Sequence, residues 1–184
     1  MSRPIIREGA KVSIGMVEKA DIPRLYACCN DPDVTRYLKS PDRMISLEKA
    51  YSRYESLGSE ASSMMFAISV NSFRDGAHSD LAGTVSATSI SHVDRTCVLR
   101  YVLLKDYRGK GYATEAVALA TNHLFGTCNL RTISAHVYEP DIASIRVLEK
   151  NRFRPAVRLT KHVFIEGHGY VDELIYELHT PGVG

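Results

Sequence analysis

The chain has 184 residues and a mass of 20.5 kDa, enough for one hydrophobic core and too little for two well-filled ones. With 45% hydrophobic and 24% charged residues it is neither low-complexity nor disordered, and 23 Lys and Arg against 21 Asp and Glu leave a net charge of only +2. That balance gives no electrostatic reason to expect nucleic acid or a membrane surface as a partner. No apolar stretch approaches the length of a membrane span, and the opening MSRPIIREGAKVSIG lacks the apolar run of a signal peptide, so a cytoplasmic protein is expected. The cysteines Cys28, Cys29, Cys97 and Cys128 show no CxxC spacing and the histidines no metal-ligand rhythm, so neither a zinc site nor a disulfide framework is expected.

In chain order, a short apolar strand at 12–14 leads into a helix carrying Leu25, Tyr26 and Cys29 at helical intervals, which Asp31-Pro32 ends. Ser46 N-caps a second helix that runs to about Leu57-Gly58. Residues 64–70 and 81–90 read as strands joined by the polar segment Asn71-Ser72-Phe73-Arg74-Asp75-Gly76, whose Asp-Gly pair suits a hairpin turn. The run 96–105 is apolar on both faces apart from Arg100, as in a central strand. Ala113, Ala116, Val117, Ala120 and Leu124 mark the buried stripe of a helix from Gly111 to Gly126, and 130–138 alternates as a strand. Asp141 is placed to N-cap a helix to about Asn151, and two last strands, near 154–165 and 171–178, turn at Gly167-His168-Gly169. The order βααβββαβαββ, without repeat or linker, predicts one α/β domain over residues 1–184 with its core at about 10–179: a mixed sheet with helices on both faces.

The most specific segment is Arg108-Gly109-Lys110-Gly111-Tyr112-Ala113, set between the central-strand candidate and the start of an amphipathic helix. Glycines there let the backbone bend and leave amide N–H groups uncovered, while the helix start aims its positive end at the same point, which makes an anion cradle. Residues 100–110 hold Arg100, Lys105, Arg108 and Lys110 against Asp106, a local surplus of positive charge. A Walker loop is absent, and a dinucleotide fingerprint fails because Thr114 stands where its last Gly or Ala is needed.

The spacing that fits is Arg-x-x-Gly-x-Ala, and it resembles the acetyl-CoA pyrophosphate loop of the GNAT N-acetyltransferase superfamily. Asp31-Pro32-Asp33-Val34-Thr35-Arg36-Tyr37-Leu38, Gly111 to Ala116, and Ala143-Ser144-Ile145-Arg146-Val147-Leu148-Glu149-Lys150 are similar to the branch that includes ribosomal-protein-alanine acetyltransferases, and similarity covers nearly the whole chain. Departures are Asp141 for the usual Asn, Arg152 for the usual Gly before Phe153, and Arg100 for the usual Gly before Tyr101.

The resemblance implies a mixed, mostly antiparallel sheet in which the strands near 97–104 and 130–138 splay apart to admit the pantetheine arm of acetyl-CoA. Backbone groups of Val102, Leu103 and Leu104 would pair with that arm, while Arg108, Gly109, Lys110, Gly111, Tyr112, Ala113 and Thr114 hold the pyrophosphate. Asp141, Ser144 and Lys150 would lie beside the coenzyme, with Ser144 near its sulfur. The implied reaction is direct acetyl transfer to a primary amine, an N-terminal α-amine or a small molecule, by a monomer or homodimer without metal. A backbone N–H near Leu103 or Leu104 would polarise the thioester, and Glu139 is the candidate base, with His136 beside it. Tyr170, Asp172 and Glu173 are candidates to border the amine pocket. The alternatives are a non-catalytic acyl-CoA sensor, and a phosphate-binding module with no preference for acetyl-CoA.

Overall fold

The computed structural model describes residues 3–37, 45–59, 62–71 and 80–180. Its strands are β1 (Ile5–Glu8), β2 (Val12–Met16), β3 (Met64–Val70), β4 (Asp80–Ser91), β5 (Thr96–Leu103), β6 (Thr132–Tyr138), β7 (Arg154–Ile165) and β8 (Gly169–His179). The helices are α1 (Ile22–Cys29), α2 (Pro32–Thr35), α3 (Leu47–Ser59), α4 (Tyr112–Gly126) and α5 (Ile142–Lys150). One sheet runs β1-β2-β3-β4-β5-β6-β8-β7, antiparallel at every junction except β5 with β6. The expected mixed, mostly antiparallel sheet is therefore present.

Helices cover both faces because each carries one apolar stripe and must bury it. Ala116, Val117, Ala120 and Leu124 of α4, with Leu148 of α5, pack onto Ile14, Phe66, Val85, Leu99 and Ile133. Ile22 and Leu25 of α1 and Tyr51 and Tyr54 of α3 cover Val17, Ala67 and Leu81 on the other side. Each fully buried aliphatic side chain here contributes about 1.5–3 kcal/mol relative to exposure.

Two elements differ from the sequence reading. β1 lies ahead of residue 10, where the core was expected to begin; it is a four-residue edge strand, mostly exposed, with no two-residue alternation to betray it. Asp31-Pro32 does end α1, but the same pair also opens α2, since the Asp31 carboxylate accepts from Asp33 N at 2.9 Å and Pro32 occupies the first turn, where its missing N–H costs nothing. The expected Asp75-Gly76 turn, and Leu38, lie outside the described residues. The Ser46 cap is present, its Oγ accepting from Lys49 N at 3.2 Å.

The end of α5 shows why Gly was the expected residue at 152. Arg152 N donates to Glu149 O at 3.0 Å and Phe153 N to Leu148 O at 3.1 Å, a Schellman closure that holds Arg152 at φ 65°. Phe153 and Leu148, each 1% exposed, complete it by meeting in the core. A non-glycine residue in this left-handed region costs about 1–2 kcal/mol. Arg152→Gly should therefore raise stability by about 1 kcal/mol, read as a higher midpoint in urea at unchanged slope. An equal or lower midpoint would show that the Arg side chain offsets the strain.

The feature that positions the site is the parting of β5 and β6. They pair only at Thr96 with Thr132, Cys97 with Ile133 and Val98 with Ser134. Beyond that point β5 stays with β4 as far as Leu103 opposite Gly83, and β6 stays with β8 as far as Tyr138 opposite Glu173. Each strand follows its outer neighbour, so a gap opens between them.

Candidate active site

The loop from β5 to α4 reaches the open end of that gap. Gly109 and Gly111 have φ of 77° and 83°, a region side chains rarely adopt, and Gly111 is the N-cap of α4 with no side chain to cover its amides. The start of α4 is thereby left with free N–H groups and the positive end of its dipole. Tyr112, Ala113 and Thr114 form the first turn, partly buried, and the Tyr112 ring lies 6.3 Å from that of Tyr107. Exposed Lys110 sits over the Tyr107 ring at 5.8 Å.

A second cation at this loop was not legible in the sequence. A Cβ on Gly111 would stand 3.5 Å from Lys11 Nζ. Lys11 is brought there by Glu115, in the first turn of α4, whose carboxylate accepts from Ala10 N and Lys11 N and so docks the β1–β2 turn. Ala10, Lys11, Val70, Asn71, Lys110 and Tyr112 line a concavity of about 380 Å³.

Arg108 behaves differently from the free cation expected of it. Its Nη2 donates to Asp31 Oδ2 at 2.7 Å, its Nη1 lies 3.9 Å from Asp33 Oδ2, and its Nε donates to Leu103 O at 3.1 Å. Burial pushes the Asp31 carboxyl up, but the Asp33 N–H and the Arg108 guanidinium outweigh it and hold the group below the usual carboxylate range. The Arg108 side chain thus ties the loop to α2, and an anion here would be met by backbone amides and lysines.

Along the gap, Val102, Leu103 and Leu104 are each partly buried but do not point the same way. Leu104 N donates to Ala82 O at 2.8 Å, so that amide is already satisfied by the β4 side and is not available to a thioester. The Leu103 carbonyl faces away from β4, toward Arg108. Since N–H and C=O of one strand residue point to the same side, Leu103 is the residue that presents its backbone to the gap.

Two walls flank the opening. On the α5 side, the Asp141 carboxylate caps the helix by accepting from Ser144 N at 3.0 Å, a role that Asp fills as well as the usual Asn. Tyr101 reaches from β5 to donate its hydroxyl to Ser144 O at 3.0 Å, and its burial pushes the phenol well above its ordinary range. Asn151 Nδ2 donates to Thr114 O at 3.1 Å, joining α5 to α4, while Lys150 is exposed at the far end of α5.

The other wall gathers residues from three strands. His136 Nδ1 lies 2.9 Å from Glu173 Oε1, and the Glu173 side chain is only 2% exposed. Tyr138 stacks on Tyr37 at 6.4 Å between ring centroids. Burial, and then the Glu173 charge, push the Tyr138 hydroxyl up to about 12, with Arg100 of β5 pulling against them across the gap. Glu139 is turned elsewhere: its Oε1 accepts from Arg158 Nη2 at 2.9 Å on the exposed side of β7, which pairs the carboxylate expected to act as base. Asp172 accepts from Arg158 and from Lys161 N, and Tyr170 packs edge-on against Phe164, so both belong to the β7–β8 hairpin. Cys97 is 2% exposed, and burial, with Cys128 nearby, raises its thiol to about 12, unsuited to a nucleophile. Among the described residues no group of three or more His, Cys, Asp or Glu is arranged to hold a metal.

Residues 13–154 match the family model for the acetyltransferase (GNAT) domain. The chain is 24% identical over 179 residues to the N-acetyltransferase YoaA of Bacillus subtilis, covering 96% of this chain and 97% of the relative. It is 26% identical over 158 residues to the spermidine N(1)-acetyltransferase of Escherichia coli, covering 85% and 80%. Among solved structures, spermidine N-acetyltransferase from Vibrio cholerae in complex with CoA and spermine superposes with a TM-score of 0.83 at 18% identity, covering 93% of this chain and 96% of that one. An acetyltransferase from Bacillus anthracis does so with 0.77 at 21% identity, covering 94% and 96%. The chain belongs to the acetyltransferase (GNAT) domain family and is an N-acetyltransferase with acetyl-CoA as its acetyl donor.

Proposed function

We propose that the chain transfers acetyl by direct attack of a primary amine on the thioester, with no covalent enzyme intermediate. The observation that carries this reading is the parting of β5 and β6 past Val98 and Ser134, beside the loop Arg108 to Thr114. Gly109 to Thr114, with Lys11 and Lys110, would hold the diphosphate through amides and ammonium groups. Leu103 would pair with the pantetheine arm as a strand pairs with a sheet edge, whereas the Val102 backbone is turned toward β4, on the same side as that of Leu104. The Leu103 N–H, fixed by the strand before any ligand arrives, would polarise the thioester carbonyl. The high thiol range of Cys97 supports attack by the substrate amine itself.

Ser144 is the proposed proton donor to the departing sulfur. A thiol has an ordinary pKa near 8.5, so the thiolate needs little help at neutral pH. Ser144→Ala should lower kcat by less than about tenfold with acetyl-CoA affinity unchanged; a loss beyond about 100-fold would give Ser144 a larger role. Asp141 would act through the α5 cap, and Lys150 through the 3′ end of the coenzyme.

For the acceptor, the motifs shared with ribosomal-protein-alanine acetyltransferases support a protein N-terminal α-amine, whose ordinary pKa of about 7.7–8.0 leaves a large neutral fraction. The spermidine acetyltransferase relatives support a small-molecule amine as the second class. We place the enzyme in the cytoplasm, as a monomer or homodimer of one domain over 1–184; the free thiols Cys97 and Cys128 suit a reducing compartment. Calorimetry with acetyl-CoA, CoA and ATP, then thiol release with an Ala-initiated peptide, spermidine and free amino acids, tests this directly. Heat with ATP equal to that with acetyl-CoA, or no thiol release with any amine, would sink it.

A further inference from the structure

We infer that His136 is the general base of this reaction and that Glu173 is the residue that positions it, an inference that rests on the acetyl-transfer reading above. The argument begins with strand register. Ser134 is the last β6 residue paired with β5, so His136, two residues on, is the first side chain of its face past the point where the strands part. Ile133, Ala135 and Val137 point the other way, into the core with α4. His136 therefore stands at the mouth of the gap, on the wall opposite Ser144.

The pairing of β6 with β8 supplies the partner. Tyr138 lies opposite Glu173 and His136 opposite Ile175, so Glu173 and His136 are diagonal neighbours on one face. The resulting contact of 2.9 Å, from His136 Nδ1 to Glu173 Oε1, joins an imidazole that is 41% exposed to a carboxylate that is 2% exposed. A buried carboxylate accepting from Nδ1–H fixes the ring orientation and the tautomer, leaving Nε2 free of a proton and directed outward. The same carboxylate stabilises the imidazolium once it forms. This is the relation of base to orienting group that accelerates attack by a neutral nucleophile.

Among the described residues, the charged and titratable groups facing the pair come from several neighbouring elements. They include His162 of β7, with Nε2 3.6 Å from Glu173 Oε2; Tyr138 on β6; Tyr37 stacked on it; and Arg100 across the gap on β5. Glu139, two residues beyond Tyr138 in number, is held off by Arg158. In the step itself, the amine nitrogen forms its bond to the thioester carbon and its proton passes to His136 Nε2. The carbon–sulfur bond breaks with its electron pair on sulfur, the thiolate takes up a proton from Ser144, which solvent reprotonates, and His136 returns its own to solvent.

The test uses kcat/KM against pH for thiol release with spermidine and with an Ala-initiated peptide. His136→Gln, on a side chain exposed enough to be replaced without unfolding, should lower kcat/KM about 100-fold and remove the acidic limb of the profile, with acetyl-CoA affinity by calorimetry unchanged. Glu173→Gln, which takes away the carboxylate that orients the ring, should lower kcat about tenfold with KM and acetyl-CoA affinity unchanged; a merely structural loss would weaken acetyl-CoA binding as well. His136→Gln with the wild-type rate and profile overturns the assignment while leaving acetyl transfer intact. Absence of thiol release from the wild type with both amines overturns both.

Discussion

Gly111→Glu should weaken acetyl-CoA binding by more than about 100-fold. The position is the N-cap of α4 at φ 83°, and a side chain there would point into space next to Lys11 Nζ, 3.5 Å from the Cβ. Two effects add. A carboxylate about 4 Å from a diphosphate charge costs about 4 kcal/mol at an effective dielectric of 20, and solvent on this exposed loop reduces that to about 3. Any L-residue also strains the left-handed bend by about 1–2 kcal/mol, and the strained loop re-aims its amides. Gly111→Ala isolates the second effect and should cost about tenfold. Calorimetry with acetyl-CoA at two salt concentrations checks both: the Glu variant's extra loss should shrink at high salt as the repulsion is screened. Equal affinities for wild type and Gly111→Glu would place the diphosphate elsewhere.

The parts of this molecule that could be read from sequence are those whose cause is local. β3 matches its sequence-read bounds of 64–70, because a nearly uninterrupted apolar run leaves little choice, and β7 matches 154–165 because it runs from the end of α5 to the Gly167-His168-Gly169 turn. The glycine loop was equally visible, since its chemistry lies within a few neighbouring residues. What escaped notice has its cause at a distance. Arg108 counts as a free cation until Asp31 and Asp33, far back in the chain, are brought to it. Lys11 is an ordinary surface lysine until Glu115 draws the β1–β2 turn onto α4. His136 and Glu173 are separate polar residues until β8, rather than β7, inserts beside β6 and sets their register. Leu103 and Leu104 are indistinguishable as letters; only the pairing of Leu104 N with Ala82 O decides which amide faces the gap.

That last distinction yields the second large effect, at a glycine outside the loop. Gly83 of β4 lies opposite Leu103, and a Cβ there would run into Val102 O and come within 2.9 Å of Leu103 Cα. These are backbone atoms of β5, so they cannot swing aside as a side chain would; Gly83→Ala must push β5 away from β4 just where Leu103 presents its N–H. Overpacking of this kind costs about 1–3 kcal/mol of stability. Displacing a preorganised donor costs more in rate, about 100-fold in kcat, since its value lies in being fixed before the charge develops. Leu103→Ala makes the opposite change, trimming a partly buried side chain while leaving the amide where it is, and should lower kcat by less than about fivefold despite a comparable loss of stability. Steady-state kinetics of the two variants, each at a temperature where circular dichroism shows it folded, decide the matter. If Leu103→Ala were the more damaging to kcat, the thioester would be gripped by side chains and the backbone account of this site would be wrong.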